Sequence, residues 1–568
     1  MTPTPQLTAL EIARSATLRP IVDVAAGMGI GEDLLLPYGR HVAKVSLDAV
    51  GALADRPRAK YVVVTAVTPT PLGEGKTTTT IGLAQGMSHI GRRATAAIRQ
   101  SSMGPTFGIK GGAAGGGYSQ AGPFEAFNLH LTGDMHAVTA AHNTLSAIVD
   151  NHLHHGNERD LDVHEISWRR VLDVNDRALR NIVIGLGTAQ DGVPRQTGFD
   201  ITAASEAMAV LALSTSLADM RRRLGAIVVG FDTSGEPVTA EDVRGAGAMA
   251  VIMRDALQPN LLQTLENTPA LVHAGPFGNI AHGNSSIVAD LIGMHAGEFL
   301  VTEAGFGADM GAERFFNIKC RTSGLVPDAA VVVTTVRALK LHSGRHRVVA
   351  GRPLPTAMLE ENPEEVQLGA ANLLAHLAIV RRHGVTPVVA INAMGGDFPS
   401  EHTAIRAIAA SVGARAAVCT HFENGGKGAI ELAEAVVEAT AEPGEFHMLY
   451  DDEASLRQKI EAVATEVYGA DGVDYSAAAA SQLDTYEQAG FGSFPVCIAK
   501  THLSISSDPT LRGAPRGWRL PVREAKANVG AGFVSVISGD MRTMPGLSSS
   551  PAAERIDIDE NGNVVGLY

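Results

Sequence analysis

Apolar positions along the chain follow two alternating rhythms. Residues 61–67 (YVVVTAV) form a short β-branched run closed by a Thr/Pro/Gly cluster, and Leu83, Met87 and Ile90 follow at helical spacing. This predicts strand, loop, helix. The alternation returns downstream, where a helical pattern over 203–224 feeds an apolar run at 226–230 and 329–336 (AAVVVTTV) reads as another buried strand. Helix over 364–382, strand over 387–391, helix over 400–412, strand over 416–419 and helix over 427–440 then follow. Unbroken apolar strands between amphipathic helices belong to parallel sheets covered on both faces. The expected fold is therefore α/β, with a doubly wound, mostly parallel sheet.

Beyond about residue 450 the rhythm changes. An Ala-rich helical region at 452–488 is followed by short strands at 496–499, 534–537 and 556–558, with many Gly and Pro between them. A proline-bearing insert at 341–362 reads as a junction. The expected division is 1–345 for a phosphate-loop domain, 346–450 for a second α/β domain bordering the ligand cleft, and 451–568 for a mixed α+β domain.

Composition narrows the class. With 45% hydrophobic and only 19% charged residues, the 568-residue chain can bury large cores and is far from disordered compositions. A net charge of −14 argues against a nucleic-acid partner, whose phosphates need clustered Lys and Arg. The basic run Arg221, Arg222, Arg223 ends a helical pattern and suits that helix's negative terminus. Cys320, Cys419 and Cys497 lack disulfide or zinc spacing, which points to a reducing compartment. No apolar run reaches eighteen residues and no signal layout opens the chain. A cytoplasmic protein without a membrane partner is expected.

The chemistry concentrates in two loops. Thr70, Pro71, Leu72, Gly73, Glu74, Gly75, Lys76 and Thr77 stand between predicted strand and predicted helix, the setting a phosphate loop requires, with Thr70 where the usual pattern begins with Gly. Backbone N–H groups around Gly73 and Gly75 can turn onto phosphate, Lys76 can reach the outer phosphates, and the Thr77 hydroxyl can serve Mg²⁺. ATP or GTP with Mg²⁺ is the expected ligand. About twenty residues on, Gly111, Gly112, Gly115, Gly116 and Gly117 crowd a loop flanked by Arg99, Phe107, Ile109, Lys110 and Tyr118. Such glycine density leaves no room for helix or strand, and the flanks suggest a ligand-embracing loop. His136 and His142, six apart, lack metal-pair spacing and read as hydrogen-bonded structural residues, while His152, His154 and His155 read as a solvated helix end. Asn392 and Asp397 either line the cleft or form an Asx turn after a strand.

The combination of TPLGEGKT (70–77), GIKGGAAGGGY (108–118), EAGFGAD (303–309) and MPGL (544–547) resembles formate tetrahydrofolate ligases over nearly the whole chain. That resemblance implies ATP-dependent formylation of tetrahydrofolate through formyl phosphate, by a homotetramer of three-domain subunits. It implies Lys76 and Arg99 as catalytic residues, with formate and formyl phosphate at Arg99, Gly305, Phe306 and Gly307. Arg99 suits the role because its guanidinium fork matches carboxylate and phosphate. Folate is implied at Met394, Gly395 and Phe422, where similar enzymes carry an aromatic, a Pro and a Trp. A monovalent cation is associated in similar enzymes with a Glu where this chain has Gln100, and Thr334 and Ser343 replace the Ala and Gly of a second signature at 332–344. Two alternatives stand beside this reading: a paralogous acyl-phosphate ligase with another acceptor or carboxylate, and a regulatory nucleotide switch.

Overall fold

The computed structural model describes residues 7–71, 73–110, 113–349 and 353–567. Seven parallel strands carry the architecture: β1 (Lys60–Ala66), β2 (Ala94–Ile98), β3 (Pro269–Val272), β4 (Phe299–Glu303), β5 (Ala329–Thr334), β6 (Thr386–Asn392) and β7 (Arg415–Cys419). Across the sheet they run β3, β2, β4, β1, β5, β6, β7, each parallel to its neighbour. Antiparallel strands Asn260–Thr264, Ala43–Val45 and Leu35–Pro37 extend the β3 edge. Val62, Val64, Val331, Val333 and Val388 face one side of the sheet, while Val63, Val332 and Val389 face the other, all fully buried in two separate cores. Burial on both faces is the physical reason that these strands read as unbroken apolar runs.

The order across the sheet places β4 between β1 and β2, although β4 comes some two hundred residues after them in the chain. A cleft opens at such reversals, outside the carboxyl ends of the strands. Helix α1 (Lys76–His89) joins β1 to β2, and α2 (Val336–His342) and α3 (Ala370–Arg382) cover the sheet beyond β5. β5 and β6 pair across the 341–362 insert, so one sheet runs through it. The C-terminal region adds a three-stranded sheet, Val496–Ala499, Phe533–Ile537 and Glu524–Asn528.

Several expected elements are divided. The pattern over 203–224 folds as two helices, Glu206–Leu213 and Leu217–Gly225. Ser214 turns its hydroxyl back onto the Val210 carbonyl, and Ser216 caps the second helix by accepting from the Asp219 amide; short hydroxyl side chains compete for backbone groups in this way. The following run, Val228–Phe231, pairs with Pro237–Thr239 outside the main sheet. The helix expected over 364–382 breaks at Gly369, where a Cβ would sit 1.9 Å from the Leu339 carbonyl oxygen. The glycine-rich loop is not structureless: a π-turn spans Thr106–Lys110, and Gly115–Gly116 pairs with Ser119–Gly122. The helical region at 452–488 contains Leu456–Ala462, a π-turn and Ala477–Gln488 around the short strand Val473–Tyr475. No helix among the described residues is long and apolar enough to cross a membrane.

Candidate active site

The phosphate loop leaves the carboxyl end of β1 and enters α1 at Lys76, with Gly75 at the N-cap in the left-handed region (φ 76°). A Cβ on Gly75 would meet the Asn392 amide nitrogen at 2.5 Å, so only glycine fits there. Asn392 Nδ2 donates to the Glu74 carbonyl at 3.0 Å. Asp397 Oδ2 accepts from the Met394 amide at 2.9 Å while the Asp397 amide donates to the Met394 carbonyl at 3.0 Å, a four-residue turn closed backwards from Asp397 and not an Asx turn. Asn392 braces the phosphate loop and Asp397 closes the turn after β6.

Glu74, a charged residue inside a phosphate loop, is almost fully buried. Its carboxylate accepts from the Thr70 amide at 2.8 Å and from the Thr335 hydroxyl at 2.9 Å. Upstream, Thr68 is held by Asn372, His376 and His342. Burial drives His376 and His342 down to about 4, so both are neutral hydrogen-bonding groups at neutral pH. Thr70 is buried, Pro71 and Lys76 are half-buried, Gly73 is exposed, and Leu72 lies outside the described residues.

Thr77 donates its hydroxyl to Glu303 Oε2 at 2.6 Å. Glu303 ends β4, and its other oxygen, Oε1, accepts from the Arg99 amide at 3.4 Å and lies 3.8 Å from Arg99 Nε. Arg99 follows β2, and its Nη1 reaches the Pro276 carbonyl. Around it fold the loops after β3 and β4: the Gly305 amide donates to the Gly283 carbonyl at 3.2 Å, and a Cβ on Gly305 would stand 3.4 Å from Arg99 Nη2. Phe306 adopts φ 61°, stacks on His502 at 4.7 Å and covers Gly278, while Gly307 precedes the π-turn Ala308–Ala312. His282 is wholly buried, and among the described residues neither ring nitrogen has a hydrogen-bond partner. Burial, then the charges of Lys319, Arg99 and Arg314, hold it well below the ordinary histidine range. Gln100 is buried with its amide donating to Ala274, and neither side-chain polar atom has a partner among the described residues.

Met394, Gly395 and Phe422 lie on the loops that leave β6 and β7 at the same edge, where the Ala393 amide donates to Cys419. Met394 is half-buried and Gly395 exposed, its carbonyl accepting from Arg337. Phe422, 43% exposed, lies over the glycine loop: a Cβ on Gly116 would be 2.9 Å from the ring, and the Tyr118 amide donates to the Phe422 carbonyl. Its neighbour His421 packs on Gly82 of α1 and contacts Thr79 Oγ1 at 3.2 Å. His142 stacks on Trp168 and bonds Ser205, in the structural role expected of it, and His136 contacts His130 at 2.8 Å. Glu303, Thr335 and His421 escaped assignment from the sequence. A glutamate closing the apolar run FLVTE was the one available signal, and a carboxylate at a strand end is too common to be diagnostic.

A phosphate loop, a buried carboxylate and an arginine at the carboxyl edge of a parallel sheet define a phosphate-loop α/β protein. The family model for formate–tetrahydrofolate ligase matches residues 7–568. A formate–tetrahydrofolate ligase of Saccharopolyspora erythraea is 69% identical over 558 residues, covering 98% of this chain and 99% of that protein. Formate–tetrahydrofolate ligase 2 of Rubrobacter xylanophilus is 66% identical over 572 residues (99% and 99%), and a formate–tetrahydrofolate ligase of Cutibacterium acnes is 63% identical over 559 (98% and 99%). This chain belongs to the formate–tetrahydrofolate ligase family. It is an ATP-dependent ligase that joins formate to tetrahydrofolate.

Proposed function

We propose that the ligation runs in two steps through formyl phosphate, at a site built from Lys76, Thr77 and Arg99. The observation that carries this reading is the line of contacts from Thr77 through Glu303 to Arg99: the phosphate-loop hydroxyl donates to one oxygen of the carboxylate, and the other oxygen takes the Arg99 main-chain amide, with the guanidinium Nε 3.8 Å away. A formate oxygen attacks the γ-phosphorus of ATP and ADP leaves. Lys76 and Arg99 offset the charge that spreads over the transferring oxygens. The N10 amine then attacks the formyl carbon, the bond to the bridging oxygen breaks, and the amine proton departs with phosphate. This step needs proximity and exclusion of water, to which Phe306 over Gly278 contributes. Gly305 and Gly307 flank Phe306; Gly305 stands against the Arg99 guanidinium and Gly307 against His376 and the Val67 carbonyl.

The Thr77 hydroxyl and the Glu303 carboxylate are hard oxygen donors suited to Mg²⁺. That ion supplies charge neutralisation on the transferring phosphate. A monovalent cation finds at Gln100 only a neutral amide oxygen, which fits it poorly, and no step depends on one. Folate is assigned to Met394, Gly395 and Phe422, supported by the exposed ring over the glycine loop. A cytoplasmic homotetramer goes with this reading; three buried free cysteines suit a reducing compartment, and sedimentation tests the assembly.

Two measurements test the pathway. ADP release is compared with ATP alone, with formate added, and with formate plus tetrahydrofolate. Positional isotope scrambling of the β,γ-bridging oxygen of ATP is then followed with formate present and tetrahydrofolate absent. Scrambling that requires formate but not tetrahydrofolate is expected, and its absence would overturn the two-step pathway.

A further inference from the structure

The amino ends of the central strands, opposite the edge that carries the phosphate loop, border a second cavity of about 680 Å³. That is the size of a small-molecule site. The seven residues of β1 separate Lys60 at this edge from Ala66 at the other by about 20 Å, so the cavity is no extension of the site described above. Its charge comes from three adjacent strands. Arg58 and Lys60 stand at the start of β1, Arg92 and Arg93 just before β2, and Glu298 and Phe299 at the start of β4 between them. Lys60, Phe299 and Ala94 are level across the sheet, and a strand spacing of about 4.8 Å sets the two basic pairs about 10 Å apart.

Five cations line this cavity, and two carboxylates serve them. Asp328 lies 3.0 Å from Lys60 Nζ and 3.8 Å from Arg58 Nη2, while Glu298 lies 3.0 Å from Arg92 Nη1 and 3.9 Å from Arg93 Nε. Arg56, the fifth, donates to the carbonyls of Met28 and Gly29 at the end of the helix Ile21–Met28. Three positive charges are thus left over in a chain whose net charge is −14. Like charges gathered at close range cost free energy, which an anion among them offsets. Pro57, Phe299 and Val437 supply apolar surface to the same cavity.

From this juxtaposition we propose that the cavity is a second anion site, which takes a small molecule bearing a diphosphate or triphosphate group. Linked phosphates can reach both basic pairs, and each guanidinium can present parallel N–H donors to phosphate oxygens. The apolar surface suits the base of a nucleotide; an inorganic polyphosphate would use the cations alone.

Equilibrium dialysis of the full-length protein without divalent metal, against labelled pyrophosphate and separately against labelled ADP, tests the proposal. A site is expected that survives Lys76→Ala and weakens about tenfold or more when Arg58→Ala and Arg93→Ala are combined, since each removes hydrogen bonds to a charged group. Turnover of the double variant should match the parent, both side chains being remote from the phosphate loop. Should the double variant not fold, Arg93→Glu alone, at a side chain 70% exposed, is expected to cause the same loss. Uptake of ADP as well as pyrophosphate at this site identifies a nucleotide, and uptake of pyrophosphate alone an inorganic polyphosphate. The proposal is overturned if no site survives Lys76→Ala at millimolar probe, or if the arginine variants bind both probes as the parent does.

Discussion

The Thr335 hydroxyl donates to Glu74 across 2.9 Å while its oxygen accepts the Ala338 amide at the start of α2. One side chain thus caps a helix and fastens the phosphate loop, so the loop's shape depends on the packing of α2 as well as on its own glycines. Replacing Glu74 by Gln removes an acceptor from one of two donors while preserving volume. Because hydrogen bonds to charged groups contribute about 1.5–3 kcal/mol, the ATP KM should rise roughly tenfold or more, with melting temperature little altered. An unchanged ATP KM would show that the loop holds its form without this brace.

Lys76→Ala should leave the fold intact and remove on the order of 3 kcal/mol of transition-state stabilisation, as for loss of one preorganised charge donor. In rate this is about two decades. Circular dichroism and single-turnover ADP formation together check it, and near-normal turnover would remove Lys76 from the chemistry.

Arg99→Ala should abolish formyl transfer while ATP binding stays within several-fold, since its guanidinium faces the Gly305 loop and Glu303. Arg99→Lys should recover little, because a point charge cannot reproduce the fork. Equal losses of turnover and of ATP affinity in the Ala variant would instead make Arg99 a nucleotide residue.

The segment 421–429, which carries Phe422, is seated on α1 through close contacts that require glycine. A Cβ on Gly86 would lie 2.8 Å from the Ala429 carbonyl oxygen, and one on Gly82 would lie 2.7 Å from the His421 ring. Gly86→Ala should therefore displace the turn that carries Phe422 and raise the tetrahydrofolate KM more than the ATP KM. Phe422→Ala should do the same by removing a ring face worth about 0.5–1.5 kcal/mol of stacking. Parallel increases in both KM values would place the effect in the phosphate loop instead.

Acid should destabilise this protein well before its surface carboxylates titrate. Burial lowers His142 to about 3, and His273, His342, His376, His383 and His421 to about 4. The unfolded chain binds protons at these groups near pH 6.5 and the folded chain does not, so their stabilising contribution is present above that pH and is lost as pH falls toward 4. Glu206 and Glu313, raised by burial to about 7, act in the opposite sense, since the folded chain takes up their protons first. Six groups outweigh two. The melting temperature should fall clearly between pH 7.5 and pH 5, and a flat profile across that interval would contradict the neutral, buried state of these histidines.

The phosphate loop was legible because its chemistry is local: a β-branched run, glycines and Gly-Lys-Thr at a helix start lie within about fifteen residues. β5 and β6 were legible because strands buried on both faces show as unbroken apolar runs, and β7, the half-buried edge strand, because of its short apolar stretch between two helical patterns. Less local features were misread. The division at Ser214–Ser216 depends on hydroxyls turning back onto backbone groups, and that at Gly369 on a close approach to Leu339; neither disturbs the apolar periodicity.

From the sequence alone come the parallel α/β class, the phosphate loop with Lys76 and Thr77, and the motif combination that points to the family. Those are properties of short segments, whose residue types restrict the backbone directly. Only the tertiary structure decided that Glu303 joins Thr77 to Arg99, that Glu74 is braced by Thr335, and that Phe422 rests on the glycine loop through Gly116. Glu303 is separated by about two hundred residues from both of its partners. Such contacts follow from strand order, in which β4 inserts between β1 and β2, and strand order is set by long-range packing free energy that no local run of residues encodes.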